Sequence, residues 1–357
     1  MTEIKLYKIY VFTFMMATKK ENIEFGDIIK IKTPSEVLEG KLLESQDSEF
    51  HLIKLKSGYN IGVRKENIID LDLLKKAEKE KKSKIKIVEN PKLKNIDIIM
   101  TGGTISSRLD IKTGAVNWLT SPEDFFKFYP ELFDIVNVNN VEIPFMMASE
   151  SMDYRHWKKI AQIVEKSLND ENVSGVVITH GTDFLHLTAA ALSFFFPNPN
   201  KPIVLTYSQR SSDRASSDAN LNLKSAAKAA VSDIAEVVLV GHGSSNDDFC
   251  LALRGSKVRK MHSSKREAFN PINLDPIAKI WPNKIEKISP YRERNDLRKI
   301  KGDIVFNDKI ALIKYYPGQD PDILDYYFNK KYEGLIIEGG ALGHVATNET
   351  DKSWTPK

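Results

Sequence analysis

Apolar and polar residues alternate in short runs over residues 24–72. Alternation with a period of two indicates strands whose two faces have different surroundings. Turn residues such as Thr33, Pro34 and Ser35 separate these runs, which lie at residues 25–32, 37–43, 51–55 and 59–63. Short strands at about ten-residue spacing are typical of small β-barrels, so residues 24–72 are predicted to form one. A barrel of about fifty residues has a marginal core, and it is expected to pack on a neighbour or a partner.

The residues on either side of this barrel have different patterns. Residues 1–23 contain an apolar patch at 9–16 that is too short to span a membrane, and they are predicted to form a disordered extension. A signal-peptide interpretation of this patch is the weaker alternative. Residues 73–94 are predicted to be a charged linker, because almost every residue of the run 75–84 is Lys or Glu. This run is either a solvated face or a contact for nucleic-acid phosphates.

From residue 95 onward, strand-like and helix-like patterns alternate, which favours a parallel sheet in an α/β fold. Apolar runs predict strands at 96–100, 173–178, 202–206 and 235–241, and helical periodicity predicts helices at 153–167 and 187–196. Ser121 and Pro122 are typical of a helix N-cap and first position. Prolines at 271, 276 and 282 indicate a linker, so the first α/β domain is predicted over residues 95–280.

Residues 281–357 are predicted to be a linker followed by part of a second α/β domain. Its elements are a strand at 309–315, a helix at 321–329 and a strand at 334–338. Ser353 or Thr355 followed by Pro356 is a helix-start signature at the last residues of the sequence. We therefore expect that the chain is truncated at its carboxyl terminus and that this domain is incomplete. The aromatic runs 194–196 and 326–328 are interpreted as core.

Composition limits the classes of function. The chain has 357 residues, with 41% apolar and 28% charged residues, which suits a globular protein with a real core. The net charge of +4, from 52 basic and 48 acidic residues, is too small to indicate nucleic-acid binding by itself. The single cysteine, Cys250, excludes an intramolecular disulfide, fits a reducing cytosol and is interpreted as a small buried apolar residue. Seven histidines show no metal-binding spacing, so no metal site is expected.

Two glycine-containing turns carry the candidate chemistry. Thr101-Gly-Gly-Thr104 and Thr179-His-Gly-Thr-Asp183 each follow a predicted strand, and open α/β sheets bind ligands at the carboxyl ends of their strands. The first turn lacks the third glycine of a dinucleotide fingerprint and the lysine of a phosphate loop. A threonine hydroxyl needs a base beside it to act as a nucleophile, and either Lys257 or Lys260 satisfies that requirement by spacing. His180 is interpreted as a residue that fixes its turn by hydrogen bonding.

These motifs resemble those of the asparaginase/glutaminase family. The resemblance rests on the two threonine turns and on the segment from Lys260 to Glu267-Ala-Phe269. It implies an asparaginase-like two-domain α/β fold with four catalytic residues, at Thr104, Thr182, Asp183 and Lys260. It also implies that Ser149 and Glu150 bind the substrate. The chain departs from the family pattern at Ser151, where aspartate is common, and at Gly340-Ala341, where Thr-Gly is usual.

A serine-rich run at residues 209–218, together with the amino-terminal barrel, narrows the resemblance to the archaeal tRNA-dependent amidotransferases. An SH3-like barrel is implied at the amino terminus. The implied function is a glutaminase component that releases ammonia for converting Glu-tRNA(Gln) to Gln-tRNA(Gln) in the cytoplasm. The chain itself would need no cofactor, whereas its partner, the E subunit of the amidotransferase, would bind tRNA(Gln) and use ATP and magnesium. Self-association is also expected. Arg210 and Arg214 either contact tRNA or a partner, or cap a polar loop.

Two other functions remain open at this point. The chain could be a free-standing L-asparaginase, or an inactive module that binds the partner protein. The amino-terminal barrel and the serine-rich run favour the glutaminase component over the free-standing asparaginase.

Overall fold

The computed structural model describes most of the chain in eight stretches, at residues 23–43, 49–55, 60–76, 90–109, 116–119, 121–214, 216–348 and 352–355. The predicted extension at 1–23 lies outside these residues except for Ile23, as does most of the charged run. The helix start predicted at Pro356 also lies outside them. The described residues fall into two units, one up to residue 76 with residue 109, and one of residues 90–108 with those from 116 onward.

The first unit is a five-stranded antiparallel sheet with strand order β4-β3-β2-β1-β5. Its strands are β1 (Ile28–Lys32), β2 (Val37–Leu43), β3 (Phe50–Leu55), β4 (Asn60–Arg64) and β5 (Asp70–Lys75). Every second residue of β1 and β2 points into one apolar cluster, formed by Ile29, Ile31, Leu38, Leu42, Ile53 and Val63. The predicted small N-terminal β region is confirmed.

Strand β5 was not predicted, and it extends the sheet into the segment interpreted as linker. Its sequence, Asp-Leu-Asp-Leu-Leu-Lys, has two aspartates, which are uncommon in strands. None of its residues is fully buried, so its apolar signal is weak. It is held by pairing with β1 over all five residues of that strand.

The second unit is built on an eight-stranded sheet with strand order β17-β16-β13-β12-β11-β10-β6-β9. The strands on one side of this order run parallel to one another: β6 (Asn95–Met100), β9 (Asn137–Glu142), β10 (Val173–Thr179), β11 (Ile203–Thr206) and β12 (Val237–His242). The remaining strands are antiparallel: β13 (Cys250–Arg254), β16 (Ala278–Ile280) and β17 (Ile285–Lys287).

The prediction of a parallel sheet is therefore correct for one side of the sheet and wrong for the other. Antiparallel neighbours need only a short hairpin between them, whereas parallel neighbours need a long crossover. Residues 243–249 and 281–284 are short connections of the hairpin kind. The alternation of strands and helices that favoured a parallel sheet ends at β12.

The linker predicted around Pro271, Pro276 and Pro282 is wrong, because β16 lies within it. Ile277, Ala278 and Ile280 are fully buried. Pro276 stands just before this strand and Pro282 lies in the turn after it, where a missing backbone N–H is tolerated. Strand β17 then continues the sheet beyond residue 280.

Helices cover this sheet and share its core. They are α1 (Pro122–Phe126), α2 (Tyr154–Leu168), α3 (Leu185–Phe195) and α4 (Ala219–Ala230). The predicted N-cap of α1 is confirmed, since the Ser121 hydroxyl accepts a hydrogen bond from the Asp124 N–H at 3.1 Å. The predicted apolar face of α2 is also confirmed, with Ile160 and Val164 buried and Trp157 and Ile163 packed against the core.

Four further short strands precede the C-terminal segment: β7 (Ser107–Leu109), whose last residue is assigned to the first unit, and β8 (Val116–Trp118), β14 (Val258–Lys260) and β15 (Phe269–Pro271) of the second unit. The C-terminal segment then has β18 (Ile310–Lys314), helix α5 (Ile323–Asn329) and β19 (Gly334–Glu338), with the two strands parallel. The predicted β-α-β order of this segment is confirmed.

The interpretation of the two aromatic runs as core is only partly correct. Phe195 and Phe196 are buried, but Phe194 is 74% exposed. In the second run Tyr326 and Phe328 are exposed, and α5 buries no residue at all. Consecutive helical residues point about 100° apart, so three in a row cannot share one buried face.

Candidate active site

The two glycine turns lie side by side at the same edge of the main sheet. Strands β6 and β10 are parallel neighbours, and their last residues, Met100 and Thr179, are in register. The Thr101 N–H donates to the Thr179 carbonyl at 3.1 Å, and the Thr101 hydroxyl donates to the same carbonyl at 2.8 Å. Thr101 therefore uses its side chain to join the two turns, while Thr104 begins a short 3-10 turn and stays half-buried.

Glycine is required in the first turn by its backbone angles and by close approach. Gly102 and Gly103 have φ of +116° and +83°. A Cβ on Gly102 would lie 2.4 Å from the Met147 carbonyl oxygen, and one on Gly103 would lie 2.4 Å from the Gly181 nitrogen. The backbone of the Thr104 turn thus packs directly against the backbone that leads to Thr182.

Lys260 lies between Thr182 and Asp183. Its Nζ donates to the Thr182 hydroxyl oxygen at 2.8 Å and to Asp183 Oδ1 at 2.7 Å. The lysine side chain is only 8% exposed, whereas that of Asp183 is 62% exposed. The structure also separates the two candidate lysines, since Lys257 is exposed at the end of a 3-10 turn and Lys260 ends β14. This arrangement orients the Thr182 hydroxyl through a cation that is itself held by a carboxylate.

The Thr104 turn lies beside Thr182, Asp183 and Lys260 because its backbone packs on that of the Thr182 turn. Within the described part of the chain, no hydrogen bond joins the Thr104 hydroxyl to Thr182, Asp183 or Lys260. The Thr104 carbonyl accepts from the Ser107 hydroxyl at 2.8 Å, which fixes the turn from its far side. The site is therefore a hydrogen-bonded group of three side chains next to a separate, half-buried hydroxyl.

Ser149 and Glu150 lie in a 3-10 turn beside the second threonine turn. The Ser149 hydroxyl is buried and accepts from the Phe184 N–H at 3.2 Å. The Gly181 backbone packs on it, since a Cβ there would be 3.2 Å from the Ser149 oxygen. Glu150 is exposed, so the pair presents one buried hydroxyl and one accessible carboxylate at this edge.

His180 fixes its turn, as the sequence predicted. The ring is fully buried, with Nδ1 2.8 Å from the Gly181 carbonyl and Nε2 2.9 Å from the Thr188 hydroxyl. A carbonyl only accepts, so Nδ1 carries the proton and Nε2 accepts from Thr188. Burial lowers the pKa of His180 to about 4, which keeps the ring neutral at physiological pH.

We expect the stability of the fold to fall in acid partly because of His180. Its pKa is about 4 in the folded chain against 6.5 ordinarily, so the unfolded chain binds the extra proton first. The contribution of the neutral His180 to the free energy of unfolding is fully present above pH 6.5, decreases as the pH falls and is lost below pH 4. The total loss is about 3 kcal/mol. Thermal unfolding of the wild type and of His180→Asn, measured from pH 7 to pH 4 at about one-unit steps, checks this.

The exposed His262, whose Nδ1 accepts from the backbone N–H groups of Ser264 and Lys265, is the matched control for the same substitution at a solvent-exposed position. His262→Asn should leave the acid slope of the wild type unchanged. If His180→Asn has that same slope, the assignment of the acid sensitivity to His180 is wrong.

Cys250 and Arg210 have contacts that fit structural roles. Cys250 is fully buried, and burial raises the pKa of its thiol to about 12, which confirms the interpretation as a buried apolar residue. Arg210 donates to the Ser216 hydroxyl at 2.6 Å inside its own loop.

Among the residues that the structure describes, no group of acidic, histidine or cysteine side chains could hold a metal ion. None of the helices described there has the length and apolar character to cross a membrane.

A cavity of about 390 Å³ lies at the opposite edge of the sheet. It is lined by residues near the end of α3, the start of β12 and the end of β13, including Phe194, Glu236 and Arg254. Lys257, the alternative candidate base, borders this cavity, whereas Thr104, Thr182, Asp183, Lys260, Ser149 and Glu150 do not. Because the threonine turns follow the carboxyl ends of β6 and β10, the candidate site and this cavity are separate features.

Sequence reasoning missed the polar residues that support the site from behind. Asp218, Asn222, His242, Asp247 and Arg266 form a connected network of hydrogen bonds. Nothing in their spacing marks them as a group, since they come from three segments, at residues 218–222, 242–247 and 266. Sequence reasoning used the serine-rich run for the family resemblance and for Arg210 and Arg214, and it assigned no role to Asp218, which belongs to that run.

Comparisons with known proteins agree with this description. Residues 95–292 match the family described as "Asparaginase, N-terminal", and residues 23–74 match "GatD N-terminal domain". The fold is similar to that of the thermostable L-asparaginase from Thermococcus kodakarensis, with a TM-score of 0.62 at 24% identity over 73% of this chain and 75% of that one. Fold and site together define an amidohydrolase of the asparaginase class.

Curated relatives narrow the class. The D subunit of the glutamyl-tRNA(Gln) amidotransferase of Pyrococcus abyssi is 44% identical over 92% of this chain and 76% of its own length. The D subunit of Thermococcus kodakarensis is 46% identical over 85% of this chain and 69% of its own length. The D subunit of Methanobrevibacter smithii is 44% identical over 95% of this chain and 77% of its own length. The chain belongs to the family of glutamyl-tRNA(Gln) amidotransferase D subunits.

Proposed function

We propose that this chain is the glutaminase component of a glutamyl-tRNA(Gln) amidotransferase, hydrolysing glutamine and supplying the ammonia that converts Glu-tRNA(Gln) to Gln-tRNA(Gln). The observation that carries the proposal is the placement of the Lys260 Nζ, 2.8 Å from the Thr182 hydroxyl and 2.7 Å from Asp183, beside the Thr104 turn. Relatives that are 44% and 46% identical to this chain are named for that amidotransferase.

In the first half of the reaction, the Thr104 oxygen attacks the side-chain amide carbon of glutamine. A C–O bond forms, the C–N bond breaks, and the hydroxyl proton is transferred to the leaving nitrogen, which departs as ammonia. The negative charge that develops on the amide oxygen needs preorganised donors, and the backbone N–H groups of the glycine turns are suited to that role. Thr104 is assigned as the nucleophile from the family resemblance.

In the second half, water hydrolyses the acyl-enzyme to glutamate. Thr182, Asp183 and Lys260 act as one proton-transfer unit, in which the Lys260 ammonium orients the Thr182 oxygen and Asp183 holds the lysine in place. A proton removed from the attacking water passes through this unit and returns to the Thr104 oxygen when the ester bond breaks. No metal or cofactor of this chain takes part in the proposal.

Substrate orientation is assigned to Ser149 and Glu150. The Ser149 hydroxyl is held by the Phe184 N–H, so its own proton is available to the α-carboxylate of glutamine. The accessible carboxylate of Glu150 complements the α-ammonium group. Ser149 packs against Gly181, which precedes Thr182, so the pair would hold the substrate with its side chain toward the threonines.

We further propose that this chain works in a heteromeric complex. Its partner, the E subunit of the amidotransferase, would bind tRNA(Gln) and activate the glutamyl ester with ATP and magnesium, so that neither is a cofactor of this chain. The chain would also associate with itself and act in the cytoplasm. The relatives are named as subunits of an amidotransferase, which supports the proposal of a heteromeric complex.

Ammonia release from glutamine and from asparagine tests the proposal. We would measure both rates for the chain alone, with the partner protein, and with the partner protein and Glu-tRNA(Gln). The expected result is a preference for glutamine and a higher rate when the partner and the charged tRNA are present. Rapid release from asparagine by the chain alone would instead identify a free-standing L-asparaginase. A chain that binds the partner but releases no ammonia in any mixture would be a binding module.

A further inference from the structure

A network of polar contacts, buried at Asp218, Asn222 and His242 and exposed at Asp247, connects loops that carry the two halves of the candidate site. In this network Asp218 accepts from the Gln209 and Arg210 N–H groups at about 3 Å, and Asn222 bonds Asp218 at 3.3 Å. His242 continues it, with Nδ1 2.6 Å from Asn222 Oδ1 and Nε2 2.9 Å from Asp247 Oδ1. Arg266 joins the network by donating to Asp247.

The Arg266 side chain contacts two loops at once. Its guanidinium donates to Asp247 Oδ1 at 3.1 Å and to the Ser245 carbonyl at 3.3 Å in one loop, and to the Ser216 carbonyl at 2.6 Å in the other. The Arg266 side chain is only 18% exposed, although the three residues that accept from it are exposed. Hydrogen bonds from a charged group are stronger than neutral ones, and a planar guanidinium can satisfy several acceptors in fixed directions.

The backbone of Arg266 belongs to the hairpin that carries Lys260. Strands β14 and β15 pair Lys260 with Phe269, and the Met261 N–H donates to the Ala268 carbonyl at 2.7 Å. The Arg266 carbonyl, in the loop of this hairpin, accepts from the Tyr207 hydroxyl at 2.7 Å. The hairpin loop is thus held through both the backbone and the side chain of Arg266.

The serine-rich loop at 209–218, which Arg266 contacts at Ser216, also reaches the Thr104 turn. The Ser212 hydroxyl donates to the Ser107 carbonyl at 3.2 Å, and the Ser107 hydroxyl donates to the Thr104 carbonyl at 2.8 Å. One loop therefore touches the Thr104 turn at one point and Arg266 at another. Sequence pattern alone gave this loop no role at the site.

We propose that Arg266 is a positioning residue, which ties the Lys260 hairpin to the serine-rich loop and so keeps Lys260 and the Thr104 turn in one arrangement. This inference rests on the proposed glutaminase function. Arg266 contacts neither Thr182 nor Lys260, so its effect is on where Lys260 lies. A displacement of about 1 Å in a catalytic group can lower a rate by about 10²-fold, which sets the size of effect to expect.

The test compares Arg266→Gln with Arg298→Gln in the complex with the partner protein. Arg298 is the matched control, because its guanidinium also holds a loop by backbone carbonyls, those of Asn198 and Pro199, but at the other edge of the sheet. For ammonia release from glutamine, Arg266→Gln should lower kcat by about 10- to 100-fold and change KM by less than about threefold. Arg298→Gln should leave kcat at the wild-type value even if both variants melt at lower temperature.

Chemical rescue separates positioning from general damage. Guanidinium ion at millimolar concentration should raise the kcat of Arg266→Ala and leave the wild type and Arg298→Ala unchanged. Equal kcat in Arg266→Gln and wild type, or an equal fall in Arg298→Gln, would overturn the inference.

Hydrogen exchange gives a readout that does not need activity. Peptides covering residues 258–271 and 209–218 should exchange faster in Arg266→Gln than in the wild type. In Arg298→Gln the same peptides should exchange at the wild-type rate. If the wild-type complex released no ammonia, the proposed function would fail while this measurement still decides the role of Arg266. Unchanged exchange in both peptides would refute it.

Discussion

Replacing Thr182 by alanine is expected to lower kcat for ammonia release by about 10²- to 10⁴-fold, the usual contribution of a positioned proton-transfer group. The Thr182 oxygen is the acceptor for the Lys260 ammonium at 2.8 Å, so its removal leaves the lysine with Asp183 as its remaining partner. The proton-transfer unit then has no hydroxyl next to the substrate. Steady-state release of ammonia from glutamine, measured in the complex with the partner protein, gives kcat directly.

Two further variants make this result specific. Thr182→Ser restores the hydroxyl and should recover most of the activity. Thr33→Ala removes a threonine hydroxyl that bonds the Glu36 carbonyl at 3.0 Å in the N-terminal sheet, so it should not change kcat. Wild-type turnover in a folded Thr182→Ala would show that the assigned site is wrong.

The position of the two threonine turns could be predicted from the sequence because it depends on local pattern. Each turn follows a mostly apolar strand, and neighbouring parallel strands end at the same edge of a sheet. The pairing of Met100 with Thr179 brings the turns together as expected. The requirement for glycine was also visible, although only the structure shows that Gly103 packs on Gly181.

The choice between Lys257 and Lys260 could not be made from spacing. It depends on the pairing of β14 with β15, which sets residue 260 at the end of a strand opposite Phe269. Such hairpins are decided by contacts with the rest of the molecule, here the packing of Tyr207 on Phe269 with ring centroids 4.6 Å apart. The same reason explains why Arg266 was missed, since its acceptors come from segments about 20 and 50 residues away.

The sheet itself shows where local pattern stops being informative. Strands β6 and β10 to β12 have four to seven mostly apolar residues and were predicted, whereas β16 and β17 have three residues each and follow a proline-rich stretch. Strands this short are stabilised by their neighbours, and their own sequence carries little signal. The interpretation of Phe194 as core failed for a related reason, because the solvent-facing side of α3 is set by tertiary packing.

Adding a single methyl group to the Thr104 turn is expected to remove most of the activity. In Gly103→Ala the new Cβ would lie 2.4 Å from the Gly181 nitrogen, far inside van der Waals contact, so the two turns must move apart. The backbone angles of Gly103, φ 83° and ψ 168°, are themselves almost restricted to glycine, which adds a strain of about 1–3 kcal/mol. A shift of about 1 Å between Thr104 and Thr182 would lower kcat by about 10²-fold.

Gly318→Ala is the matched control for this prediction. Gly318 has nearly the same φ, +82°, but nothing lies within 4 Å of its would-be Cβ. Both variants should therefore lose unfolding free energy through backbone strain, while only Gly103→Ala should lose kcat. Chemical denaturation and ammonia release measured on both proteins separate the two effects. A folded Gly103→Ala with wild-type kcat would show that the close packing of the two turns is unnecessary for catalysis, and that Thr104 and Thr182 do not act within one site.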